Sequence, residues 1–270
     1  MTTTQPSRIA ARFEHLKSES RTGILPYVTV GYPHLETAEK IVIALAEAGA
    51  DGFEIGMPYS DPMADGPTVQ HSSQISLQNG TKVSDCIATI GRLREQGVTV
   101  PLLLMGYYNP IVRYGVDRFV ADATAAGADG FIVPDLPVEE SDPLYEACQR
   151  HGRDLVFMVA PTSTDAVLEG VAARASGFIY CVSVKGVTGA RDQMSSSLPE
   201  YLDTIRTKTD VPLVVGFGIS RPEHVTDVGQ HSDGVIIASA MLNYLNGFPE
   251  SEQPERAAHF LRYMRGEVEL

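Results

Sequence analysis

The chain has 270 residues, 43% hydrophobic and 20% charged, with a formal net charge of −13. This composition excludes a disordered chain, a coiled coil and a collagen-like repeat. The acidity excludes a basic nucleic-acid footprint and a polybasic membrane patch. It leaves an anionic ligand open, because backbone N–H groups bind phosphate without Lys or Arg.

The length suits a single α/β barrel spanning 1–270, since such barrels run to ~250 residues. Cys86, Cys148 and Cys181 form no CxxC pair, which points to a reduced, cytoplasmic compartment. The opening MTTTQPSRIAARFEHL lacks the apolar core of a signal peptide. No apolar run approaches the ~20 residues that span a bilayer.

In chain order, residues 1–18 predict a helix ahead of the first strand. A β-rich run begins near Ile24 (ILPYVTV). A helical pattern over 35–49 follows, with Ile41, Leu45 and Ala48 on one face and Gly49 as its C-cap. The second run begins near Asp51 (DGFEIGM) and leads into a long connection, 57–80, with a short helix at about 67–77. Runs from Val100 (VPLLLMG), Asp129 (DGFIVPD) and Leu155 (LVFMVA) alternate with helical patterns at 110–126, 138–151 and 163–174. A run from Gly177 (GFIYCVS) precedes a second long connection, 183–199, whose Gly, Ser and Thr content suggests a lid. Helix 197–208, a run from Val211 (VPLVVGF), helix 221–229, a run from Asp233 (DGVIIAS) and a closing helix at 253–266 complete the chain.

The eight runs lack polar alternation, as strands buried on both faces do. Eight β/α units in series predict a (β/α)8 TIM barrel with an extra N-terminal helix and short additional helices in the βα loops. A doubly wound open sheet is the alternative, although no GxGxxG is present. AGADGF occurs at 48–53 and again at 126–131, and Asp233-Gly234 repeats part of it. The echo supports similar units without locating a site.

Both long connections leave the C-terminal ends of strands, where barrel enzymes place their chemistry. Glu54 lies inside a strand run and points opposite to Phe53 and Ile55, into a dry environment on either face. It is either paired with a structural Arg or a group whose raised pKa suits acid/base work. Asp65, eleven residues on, is either a turn residue like Asp61 or a second carboxylate with a different environment.

Gly216 and Gly218 in VVGFGIS, with Gly189 in GVTG and Ala238-Ser239 at the end of the last strand, form a second constellation. It matches the phosphate site that barrels build from the loops after strands 7 and 8, or else ordinary strand-end turns. GxxxxGK[ST], HExxH and GxSxG are absent, and the seven His residues show no metal-ligand spacing. Lys185 sits in a Gly-rich loop rather than the buried position an imine-forming lysine needs.

FEIGMPYSDPMADGPTVQ, GVTGAR and VVGFGIS closely resemble the tryptophan synthase α-subunit family, and LPYVTVGYP, MGYYNP and VPDLPVEES agree in order and spacing. The resemblance runs from about Phe13 to Phe260. It implies a barrel that cleaves indole-3-glycerol phosphate to indole and glyceraldehyde 3-phosphate, with Glu54 as acid/base and Asp65 as its partner. It further implies Tyr180 as an active-site tyrosine and Thr188 as a loop threonine that closes the site. Phosphate would meet the backbone of Gly189, Phe217, Gly218, Ala238 and Ser239, and indole would lie among Tyr27, Met105, Tyr107 and Pro134.

The resemblance implies no metal and no cofactor in this chain. It implies a β-subunit partner that carries pyridoxal phosphate, an α2β2 complex, and Asp135 facing that partner. Tyr27, Met105, Pro134 and Ala238 depart from the commoner Phe, Leu, Ala and Gly. A regulatory subunit, a stand-alone indole-releasing lyase and another phosphosugar barrel enzyme are the alternatives.

Overall fold

The computed structural model describes residues 7–183, 198–216 and 218–270. Its elements are α1 (Arg8–Ser18), β1 (Gly23–Thr29), α2 (Leu35–Glu47), β2 (Phe53–Gly56), α3 (Pro67–Gln78), α4 (Val83–Glu95) and β3 (Leu102–Met105). Next come α5 (Tyr108–Tyr114), α6 (Val116–Ala126), β4 (Gly130–Ile132), α7 (Asp142–His151), β5 (Asp154–Val156), β6 (Met158–Val159), α8 (Asp165–Arg174) and β7 (Ile179–Val182). The last are α9 (Leu198–Arg206), β8 (Leu213–Gly216), α10 (Pro222–Gly229), β9 (Gly234–Ile237), α11 (Ser239–Leu245) and α12 (Gln253–Met264).

The strands pair in the order β5-β4-β3-β2-β1-β9-β8-β7-β6, and every pair is parallel. The two ends of this ladder are β5 and β6, which only Phe157 separates in the chain. The run expected from Leu155 is therefore one strand position in two pieces, pairing with β4 before Phe157 and with β7 after it. That seam closes the sheet into the expected barrel.

Strand alternation divides the apolar side chains into two layers. Phe53, Ile55, Leu102 and Leu104 pack outward against the helices. Leu25, Tyr27, Leu103, Met105, Ile132, Val156, Tyr180, Val214 and Ile236 fill the interior. Ile9, Phe13 and Leu16 of α1 join the interior layer, and Phe13 meets Phe178 edge-on at 5.9 Å. The extra helix thus closes the end of the barrel at which the strands begin.

The AGADGF echo has a structural cause. Asp51 donates its N–H to the Ile24 carbonyl and accepts the Ile24 N–H on its carboxylate at 2.9 Å. Asp129 does the same with Leu102, and Asp233 with Leu213. Arginines complete each clamp: Arg12, Arg21 and Arg265 at Asp51, Arg8 and Arg94 at Asp129, and Arg206 at Asp233. Gly49 and Gly127, at φ +93° and +100°, turn each preceding helix into this position.

Two helical expectations change in detail. The pattern at 110–126 is two helices, because Gly115 at φ +96° ends α5 and begins α6. Helix α4 adds an element to a stretch that carries no strong sequence signal. Its buried face mixes Cys86, Ile87 and Ile90 with Thr89.

Candidate active site

Glu54 is paired in register with Tyr27 on one side and Leu103 on the other, both interior residues. Its carboxyl therefore points from β2 into the barrel interior and is 3% exposed. Among the described residues no cation forms an ion pair with it. Burial, with a smaller contribution from the Asp65 charge, raises its pKa to about 8.

Asp65 reaches the same cavity from the β2–α3 loop. Its N–H donates to the Pro62 carbonyl at 3.0 Å, in the turn the sequence suggests, and its side chain borders the cavity. Asp61, the other carboxylate of that loop, is exposed and accepts from the Ser60 hydroxyl at 2.5 Å. Burial raises the Asp65 pKa to about 6, against a hydrogen bond from Tyr107 that lowers it. The Tyr107 hydroxyl also accepts the Ala64 N–H at 2.9 Å. It anchors the loop and holds the carboxylate.

The cavity measures about 520 Å³ and is bordered by Tyr27, Glu54, Asp65, Met105, Pro134 and Tyr180 at its deep end. Gly218, Ala238 and Ser239 border the other end, where β8 and β9 give way to α10 and α11. The structure thus gathers two acidic groups, a flat apolar slot and a strand-end rim of backbone donors in one space. Tyr107 stands behind Asp65 rather than on the cavity wall. Thr188, Gly189 and Phe217, like the lid expected at 183–199 for all but its first and last residues, lie outside the described residues.

Sequence reasoning missed part of the wall. Thr68 and Asn243 both border the cavity, and the Thr68 hydroxyl donates to Asn243 Oδ1 at 3.1 Å, tying α3 to α11. Ser183 and Ser220 border it as well. Ser220 donates its N–H to His224 Nδ1 at 3.2 Å, so this buried histidine steadies the turn after β8. Gly66-Pro67-Thr68 marks a helix start but does not say what that helix faces, and Ser183 and Ser220 lie in loops that follow strands. Asp135, at the barrel's open end, is exposed and accepts the Tyr108 N–H at 2.9 Å, capping α5.

Among the described residues no group of His, Cys, Asp and Glu is arranged to hold a metal ion, and no helix is long and apolar enough to cross a membrane.

The family described as tryptophan synthase alpha chain matches residues 13–268. A tryptophan synthase alpha chain of Roseiflexus castenholzii is 50% identical over 260 residues, covering 96% of this chain and all of that protein. One from Chloroflexus aurantiacus is 45% identical, covering 97% and 98% of the two chains. Among solved structures, the alpha subunit from Legionella pneumophila superposes with a TM-score of 0.88 at 32% identity, covering 97% of this chain and 98% of that one. A chain of the aminoacrylate-bound tryptophan synthase from M. tuberculosis gives 0.86 at 31%, covering 97% of this chain and all of its own. With the family matched from Phe13 almost to the C-terminus, and relatives aligned over nearly their whole length, this chain belongs to the tryptophan synthase alpha chain family.

Proposed function

We propose that Glu54 and Asp65 carry out the α reaction in this chain, the retro-aldol cleavage of indole-3-glycerol phosphate to indole and glyceraldehyde 3-phosphate. The observation that supports it is a buried carboxyl and a half-buried one with separated pKa values, about 8 and about 6, in one cavity. Near pH 7 Glu54 is protonated and Asp65 is ionised, which assigns the acid and the anion.

Indole C3 is a poor leaving carbon until it is protonated. Glu54 gives C3 its proton, and the positive charge that develops spreads to the ring nitrogen. Asp65, held by Tyr107, stabilises that N–H. The Glu54 carboxylate then removes the proton of the hydroxyl next to the C–C bond. That oxygen becomes a carbonyl, the C–C electrons restore the aromatic ring, and Glu54 is protonated again.

Tyr27, Met105 and Pro134 make the apolar slot for the ring, with Tyr107 behind it and Tyr180 flanking the reacting carbons. The phosphate lies at Gly218, Ala238 and Ser239, completed by Gly189 and Phe217. Thr188 closes the site from the 183–199 segment.

Every step uses protons and carboxyls of this one barrel domain, so the chain needs no cofactor of its own. Pyridoxal phosphate belongs to a β subunit, and the two chains form an α2β2 complex in the cytoplasm. There indole passes to the β site and Asp135 faces the partner.

The test is indole release from indole-3-glycerol phosphate by the wild type and by Glu54→Gln, each with and without a β subunit. Slow release, accelerated by β and abolished by the substitution, is expected. No release by the wild type under any condition overturns the reading, in favour of a regulatory subunit or another substrate.

A further inference from the structure

The turn between β8 and α10 borders the cavity through Gly218, Ile219 and Ser220. Gly218 stands at φ +82° and reverses the chain there, and Ile219, 4% exposed, packs with the outer apolar layer. Arg221 is the N-cap of α10, and Pro222 opens the helix without an N–H. His224, at the third helical position, closes on the turn twice. Its backbone N–H donates to the Arg221 carbonyl at 3.1 Å, and its Nδ1 accepts the Ser220 N–H at 3.2 Å. In a capping box a Glu or Gln at this position reaches back to the N-cap N–H. The imidazole reaches one residue further, into the turn itself.

Ser220 Oγ lies 3.4 Å from the same Nδ1, as a nucleophile lies beside its base. The backbone N–H is the closer donor and engages the lone pair that a base needs. The ring proton therefore sits on Nε2, and the histidine is a fixed acceptor rather than an activator of the serine. His224 is only 9% exposed. Without its nitrogen the Ser220 N–H, itself part-buried, loses its partner, and the turn must shift to hydrate it.

We infer that His224 is a positioning residue for the anionic end of the substrate, holding residues 218–220 where Gly218 meets the phosphate. The inference rests on the phosphate placement proposed above. Glu54 and Asp65 border the deep end of the cavity, on β2 and the β2–α3 loop, so a slackened turn weakens the grip on phosphate and leaves the carboxyl pair in place.

The test is calorimetric titration of the full chain with two probes, glycerol 3-phosphate for the anionic end and indole for the apolar slot. His224→Ala is expected to weaken glycerol 3-phosphate about tenfold and to leave indole affinity within about twofold. His224→Asn, whose Oδ1 replaces Nδ1 as an acceptor, should restore most of the loss. In steady-state kinetics the effect of His224→Ala should fall on KM and leave kcat nearly unchanged.

Unchanged glycerol 3-phosphate affinity in a folded His224→Ala chain overturns the inference. So does equal weakening of both probes, which reports a general loosening, and so does a His224→Asn chain as weak as His224→Ala, which assigns the effect to lost volume. If His224→Ala does not fold, His224→Leu, which keeps the bulk without an acceptor, decides in the same way. A wild type that binds indole but no glycerol 3-phosphate overturns the phosphate placement itself, and the inference with it.

Discussion

Tyr27 lies diagonally across Gly56, so that a methyl group at Gly56 would fall 2.2 Å from the Tyr27 hydroxyl oxygen. Tyr180 lies across Gly216 in the same way, with the corresponding distance 2.0 Å. In each case the glycine is two residues beyond the tyrosine's register partner, Glu54 or Val214. Each ring occupies the volume of a missing side chain, which explains how two tyrosines fit in the mouth of a small barrel. Gly56→Ala is expected to displace Tyr27, lowering kcat/KM at least about tenfold and stability by about 1–3 kcal/mol. Gly91→Ala, whose methyl would lie 4.0 Å from Ala126 in the middle of α4, is the control and should gain about 0.5–1 kcal/mol. Steady-state kinetics and urea unfolding of the two variants check this.

Glu54→Gln keeps the shape and removes the transferable proton. Its kcat should fall by about 10²–10⁴-fold while a substrate analogue still binds. Single-turnover rates and a binding titration separate the two effects, and near-normal turnover would remove Glu54 from the mechanism.

The same substitution should stabilise the fold. Glu54 is held near pKa 8 in the folded chain, far above its ordinary value of 4.5. The folded state therefore binds more protons than the unfolded one between pH 4.5 and 8, and this group's burial lowers stability progressively as pH rises through that window. Glutamine has no such loss, so Glu54→Gln should be about 0.5–2 kcal/mol more stable than the wild type at pH 8. Urea midpoints at pH 5 and pH 8 should show the gap opening only at the higher pH.

The proposed mechanism requires an ionised Asp65 and a protonated Glu54. The pH profile of kcat/KM should therefore be a bell that falls below about 6 and above about 8, the two limbs belonging to the coupled pair. Tyr107→Phe removes the hydrogen bond that lowers the Asp65 pKa, so its acid limb should move to higher pH.

At the opposite end of the barrel, Asp129→Ala should unfold the protein more readily without altering the chemistry. It leaves Arg94, whose side chain is 16% exposed, unpaired, and it strips the Leu102 N–H of its 2.8 Å partner. Loss of one member of such a buried pair costs about 3–5 kcal/mol. At a temperature where the variant is still folded, its kcat should match the wild type.

The barrel was legible because its strands are buried on both faces and so read as unbroken apolar runs. Phe157 lies inside such a run, and nothing in its apolar neighbours marks it as the seam between two pairings. Helix α4 was invisible because Thr89 dilutes its apolar face and its first turn carries the polar Ser84-Asp85. Glu54 and Asp65 were legible for different reasons. A carboxylate inside an apolar strand contradicts its surroundings, whereas Asp65 resembled any turn Asp until a neighbour from the same strand gave it company. The roles of Tyr107 and His224 were out of reach, since each acts through a contact made across the fold, at Ala64 and at Ser220. The Asp clamps left a visible mark only because three of them reuse one spelling.

Each of those clamps reaches from the start of one strand to the start of the neighbour beside it: Asp51 to β1, Asp129 to β3 and Asp233 to β8. All the attachments lie at the end away from the cavity. A chain cut at the exposed Met63 therefore keeps the Asp51–Ile24 clasp on one fragment and the Asp129–Leu102 clasp on the other, while Arg265 and Arg8 reach across the cut to Asp51 and Asp129. Its two pieces meet again through the β2–β3 and β1–β9 pairings. The cavity rim is left without such fastenings among the described residues, while the opposite rim holds the staves in order.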